Sequence, residues 1–175
     1  MENKPIIISI IGWSGSGKTT FIESAIAECA HRGIQAAAVK KSRHAADLPP
    51  EAKDSSRFRS AGANPSIYLS ESEMVILAVP PPRMDAETVV ALCPQASIIF
   101  CEGLDVPGAV LVLVAGAETT EKALKRPIAS ADILVARDQS MIHAAVLKNV
   151  VAFLPEQIGN FIEYVISLEE TDAQQ

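Results

Sequence analysis

Residues 12–20 read Gly-Trp-Ser-Gly-Ser-Gly-Lys-Thr-Thr, and they stand between an apolar run and a helical one. Gly12, Gly17, Lys18 and Thr19 satisfy the pattern G-x-x-x-x-G-K-[ST], whose chemistry depends on that strand–loop–helix context. Small residues let successive backbone N–H groups turn inward and form a concave anion site. A helix starting near Lys18 adds unpaired donors and the positive end of its dipole. Gly12, Ser14, Gly15, Ser16 and Gly17 are the candidate cradle. Lys18 is placed to lie along the β- and γ-phosphates, Thr19 to ligand Mg²⁺ and Thr20 to add a phosphate contact. Trp13 has no phosphate role derivable from its type; covering the site, meeting a partner or packing would each suit it.

The flanking pattern sets the fold class. Ile6 to Ile11 is β-branched almost throughout, as in a strand buried on both faces of a parallel sheet. Phe21, Ile22, Ala25, Ile26 and Cys29 share one face of a helix from Thr19 to Arg32, with Gly33 placed to end it. Ile34 to Val39 reads as the next strand. Lys40 to Lys53 is a polar loop, long enough to suggest function. A short helix is expected from Lys53 to Ala61, strands over Ser66–Leu69 and Met74–Val79, and a helix from Asp85, its N-cap, to Leu92. Strands follow at Ser97–Cys101, Val110–Ala115, Ile133–Ala136 and Val150–Leu154, with Thr119–Lys125 helical and a helix after each of the last two strands. The alternation predicts an α/β chain, a P-loop NTPase three-layer sandwich with a mainly parallel sheet, and one domain over 1–175.

Composition narrows the partners. A net charge of −6 without a basic block excludes nucleic acid as the main partner. No apolar run reaches membrane-spanning length, and Pro5 to Ile11 lacks the features of a signal peptide. Cys29, Cys93 and Cys101 match no metal or disulfide spacing, and their odd number suits a reducing compartment, so a soluble cytoplasmic protein is expected.

A nucleotide site also needs an acid for Mg²⁺ or the attacking group. Glu102 ends the apolar strand before Gly103, and ligands bind beyond the carboxyl ends of parallel strands. At the same sheet edge, Lys40-Lys41-Ser42-Arg43-His44 offers positive charge to phosphates or to a second anionic substrate. Asp47, Lys53, Asp54, Arg57 and Arg59 continue a polar cluster, in which a solvated surface role is the alternative. No Asn-Lys-x-Asp run reads guanine. Asp138, after the strand at 133–136, is the carboxylate positioned to accept from a base edge.

These segments resemble the molybdopterin-guanine dinucleotide biosynthesis protein B family. The likeness rests on the glycine loop, Val39-Lys40-Lys41-Ser42-Arg43-His44, Lys53-Asp54-Ser55-Ser56-Arg57-Phe58-Arg59-Ser60-Ala61-Gly62-Ala63, and Glu102-Gly103, in order over the first 105 residues. It implies a GTP-binding protein with weak GTPase activity, usually dimeric, that assists attachment of GMP to molybdopterin beside the pathway's nucleotidyltransferase. Carried over by motif, Lys18 and Thr19 serve phosphate and Mg²⁺, while Lys40, Asp54 and Glu102 lie around the γ-phosphate. Three positions depart from the family. Lys41 stands at the usual histidine, and Leu104-Asp105 stand where an aromatic residue and a lysine are common, so a basic contact there is lost or replaced. Two other classes share the loop. A small-molecule kinase would carry an arginine-rich lid, whereas Arg126 and Arg137 are isolated. A nucleotide-gated adaptor would use Lys40–Lys53 as a switch read by its partner.

Overall fold

The computed structural model describes residues 4–42 and 53–172. Its contacts divide into two compact units, one reaching Lys41 and resuming at Met84, the other within Ser42–Arg83.

The larger unit carries a six-stranded, wholly parallel sheet. Its strands are β1 (Ile6–Ile11), β2 (Ala36–Lys40), β5 (Ile98–Glu102), β6 (Val110–Val114), β7 (Ile133–Val135) and β8 (Val151–Phe153), in spatial order β2-β5-β1-β6-β7-β8. All six residues of β1 are buried, as its apolar run requires of the strand at the centre. Helices α1 (Lys18–His31) and α5 (Ile158–Asp172) cover one face, where Phe21, Ile22, Phe161 and Ile162 pack on Ile8, Ile10 and Phe100. Helices α3 (Ala86–Leu92) and α4 (Gln139–Leu147) cover the other, through Val89 on Ile7 and Ile99 and through Met141 and Ala145 on Leu113 and Leu134. Three layers result. Each fully buried Ile or Phe contributes about 1.5–3 kcal/mol relative to exposure.

Local chemistry sets the boundaries. Asp85 caps α3 by accepting from the Thr88 N–H at 2.9 Å, as its position predicts. Gly33, at φ 72°, ends α1; the Ile34 N–H reaches Cys29 O at 2.9 Å and the Gly33 N–H reaches Ala30 O at 3.1 Å, a Schellman closure. That closure uses Ile34, so β2 starts at Ala36 rather than Ile34 and extends to include Lys40. The expected helix over Thr119–Lys125 is instead a single 3₁₀ turn, Glu121–Ala123. In an α-helix Ala123 O would accept from residue 127, but Pro127 has no N–H. The Trp13 indole N–H takes that carbonyl instead, at 2.7 Å.

The smaller unit holds α2 (Lys53–Ser60) against an antiparallel hairpin, β3 (Ser66–Leu69) and β4 (Met74–Leu77). The buried Ser66 hydroxyl donates to Ser55 O at 2.8 Å, tying hairpin to helix. Ile67 pairs with Ile76 and Leu69 with Met74 across the strands, and all four side chains are exposed.

Candidate nucleotide site

The chain leaves β1 at the point where the winding of the sheet reverses. β5 lies on one side of β1 and β6 on the other, and such a switch point opens a crevice at the strand ends. The loop after β1 fills that crevice. Gly12 admits no side chain: a Cβ there would stand 2.4 Å from Val114 O and 2.6 Å from Ser16 Oγ. Gly15 and Gly17 turn the loop with φ of 76° and 90°. Gly17 is the N-cap of α1 and supplies no side-chain cap, and no acid stands in the first turn. The first N–H groups of α1 are thus left for an external acceptor. Ser16 Oγ is buried and has no hydrogen-bond partner among the described residues. A buried hydroxyl left this way costs free energy, which an anion in the cradle would recover.

Lys18, Thr19, Lys40 and Glu102 meet beside this cradle. Thr19 Oγ1 lies 3.0 and 3.1 Å from the two carboxylate oxygens of Glu102. Lys40 is in register with Glu102 across β2 and β5, and its Nζ stands 3.4 Å from that carboxylate. Glu102 is the last residue of β5 itself, and the Lys41 N–H closes on its carbonyl at 3.0 Å. Lys18 Nζ donates to Trp13 O at 2.6 Å. Burial holds the Lys18 ammonium below the usual lysine range; Glu102 opposes that shift, and Lys125 and Lys40 add to it. A hydroxyl and a carboxylate at this separation are a hard-oxygen pair of the kind Mg²⁺ takes together with substrate phosphates.

Lys125 was not singled out in the sequence. Its ammonium lies 5.9 Å from the centre of the Trp13 ring, and Trp13 bonds Ala123 in the same segment. Its signal was faint: one lysine in a charged stretch, with the 3₁₀ turn that presents it hidden by the helical pattern. Asp105, where the family commonly has a basic residue, is paired with Arg126, while Leu104 is buried against the face of the sheet that α3 covers.

Asp54 belongs to the smaller unit, exposed and 3.2 Å from Arg57. Arg43, His44 and Asp47 lie outside the described residues, as does most of the loop read as a switch. Asp138 is committed to local structure: its Oδ1 accepts from the Ser140 N–H at 2.8 Å as the N-cap of α4.

On the β6 side of the loop a cleft of about 380 Å³ runs from Ser16, Gly17 and Thr20 past Phe21 and Val135 to Arg137, Pro155 and Glu156. Arg137 Nη1 stands 3.5 Å from Glu156 Oε2 at its far end.

Comparison with known proteins agrees with this frame. Over 81 residues the chain is 36% identical to a molybdopterin-guanine dinucleotide biosynthesis adapter protein of Haemophilus influenzae, a match covering 46% of each chain. The match thus spans less than half the length of that relative. The fold superposes on MobB of Bacillus subtilis with a TM-score of 0.67 at 19% identity, covering 90% of this chain and 96% of that one. HypB of Helicobacter pylori, in a crystal structure of its complex with nickel, matches with a TM-score of 0.54 at 15% identity, covering 98% of this chain and 90% of that one. Residues 7–138 match the family described as molybdopterin guanine dinucleotide synthesis protein B, and the chain belongs to that family.

Proposed function

We propose that this chain binds Mg²⁺·GTP in the glycine loop, hydrolyses it slowly, and acts as a dimeric accessory protein in forming the guanine dinucleotide of the molybdenum cofactor. Its partner in that reading is the nucleotidyltransferase that joins GMP to molybdopterin, in the cytoplasm. The observation that carries the reading is the convergence of Lys18, Thr19, Lys40 and Glu102 on an uncapped helix N-terminus.

The loop amides and the α1 N-terminus receive phosphate oxygens, and the Ser16 hydroxyl gains the partner it lacks. Lys18 exchanges the Trp13 carbonyl for the β- and γ-phosphates. The Thr19 hydroxyl and the Glu102 carboxylate would hold Mg²⁺, which would supply charge neutralisation to the phosphates. Lys40 balances Glu102 from the neighbouring strand and lies toward the terminal phosphate. Asp54 completes the set by the resemblance. Turnover comes from positioning and charge stabilisation.

The exposed apolar face of Ile67, Leu69, Met74 and Ile76 supports association of two copies, since a contiguous apolar surface on a two-stranded hairpin gains by being covered. Among the described residues, no helix is long and apolar enough to cross a membrane.

Lys18→Ala tests the core of the proposal. Calorimetric titration with Mg²⁺·GTP is expected to show binding to the parent chain and its loss in the variant. Equal affinity for both would reject the site. The adaptor reading adds a second arm: binding of the nucleotidyltransferase should differ between GDP and a non-hydrolysable GTP analogue, and equal binding would remove the gating.

A further inference from the structure

The two flanks of the glycine loop differ in chemistry, and the difference orients a bound nucleotide. On the β5 side stand the charges, Lys40 and Glu102. On the β6 side the cleft has an apolar wall of Phe21, Val114, Ala115, Val135 and Pro155. Its volume falls within the range of small-molecule sites. The terminal phosphate therefore points toward β5, and the sugar and base leave past Thr20 toward the ends of β7 and β8.

We propose that the Arg137–Glu156 pair at the far end of this cleft reads the base and selects guanine. The proposal rests on the triphosphate reading above. Both side chains are more than half exposed, at 65% and 58%, so their attraction contributes little to folding. They sit where the β7–α4 and β8–α5 connections reach the mouth of the cleft, and they are its charged members. A carboxylate accepts two donors side by side, which the guanine edge supplies as N1–H and the 2-amino group. The arginine fork donates to O6 and N7 of the same base. Adenine places an acceptor, N1, against the carboxylate, so a lone pair meets a negative oxygen instead of a donor. Asp138, the carboxylate that the sequence put forward for this task, caps α4 with Oδ1, which accepts from the Ser140 N–H, and it does not line this cleft. Glu156 belongs to a different strand end and carries no recognised motif.

The test titrates the intact chain with Mg²⁺ complexes of GTP, ITP and ATP and with inorganic tripolyphosphate, then repeats the series with Glu156→Gln and Arg137→Ala. ITP lacks the 2-amino group. GTP is expected to bind more tightly than ITP, and ITP more tightly than ATP. Glu156→Gln should cut the preference for GTP over ATP on the order of tenfold, with tripolyphosphate affinity unchanged. Equal binding of GTP and ITP, or a GTP-to-ATP ratio that Glu156→Gln leaves alone, would overturn the proposal. Failure of tripolyphosphate and every nucleotide to bind the parent chain would remove the phosphate site, and this assignment with it.

Discussion

Glu102→Gln keeps the shape of the side chain and removes its charge, and two consequences of opposite sign follow. In the ligand-free chain the Glu102 carboxylate accepts from Thr19 Oγ1 at 3.0–3.1 Å and faces Lys40 at 3.4 Å. Turning a charge-assisted bond into a neutral one costs about 1 kcal/mol. The Lys40 side chain is 60% exposed, so solvent holds the loss of that pair to about 1 kcal/mol at most. Unfolding in urea should therefore show a stability lower by about 1–2 kcal/mol. Nucleotide binding responds differently. Without metal, the carboxylate repels a triphosphate, so the variant should bind GTP at least as well as the parent in EDTA. With Mg²⁺, the variant lacks the anionic oxygen that holds the metal. The ratio of the Kd in EDTA to the Kd in Mg²⁺ should thus fall about tenfold or more, equivalent to ~1.4 kcal/mol. An unchanged ratio, with the stability loss present, would show that Glu102 is a structural acid and that the metal is held elsewhere.

Gly12→Ala places a methyl 2.4 Å from Val114 O, a backbone atom that cannot step aside, and should cost about 1–3 kcal/mol in chemical denaturation while abolishing GTP binding; native stability with intact binding would contradict the close approach. Lys18 titrates below an ordinary lysine because burial disfavours its charge, so GTP affinity should be full at neutral pH and fall as pH rises through that lowered value. Lys18→Arg should remove this alkaline decline. The same shift makes the ligand-free chain gain stability between the lowered folded value and the ordinary unfolded one, because the unfolded state holds more protons there. Leu69→Lys with Ile76→Lys, on the exposed hairpin face, should convert a dimer to a monomer by light scattering; an undisturbed dimer would place the interface elsewhere.

The order of elements was legible because each rests on local chemistry. A fully apolar β1, the Asp85 cap and the Gly33 closure are short-range signals, and each appears where it was read. The cradle was legible for the same reason, since its residues are consecutive. Strand order was not, because the placement of β5 between β2 and β1 is decided by pairing of residues 62 positions apart on one side, as in Ala36 with Ile98, and 92 on the other, as in Ile6 with Ile98. The register that sets Lys40 opposite Glu102 follows from that placement. Thr119–Lys125 misled because its pattern is helical, while the donor that Pro127 lacks is supplied to the Ala123 carbonyl by an indole N–H 110 residues away. Glu156 was invisible as a site residue: a lone acid after a short strand gains meaning only from the cleft it borders.

The contact between Lys18 and the Trp13 carbonyl gives the molecule an optical gauge. Trp13 is the one tryptophan in the chain, and its indole is also engaged by Ala123 and overlain by Lys125. An anion that draws Lys18 off that carbonyl disturbs the surroundings of a single emitter. Occupancy of the cradle can therefore be followed by intrinsic fluorescence, without a label, through the residue that phosphate chemistry alone leaves unexplained.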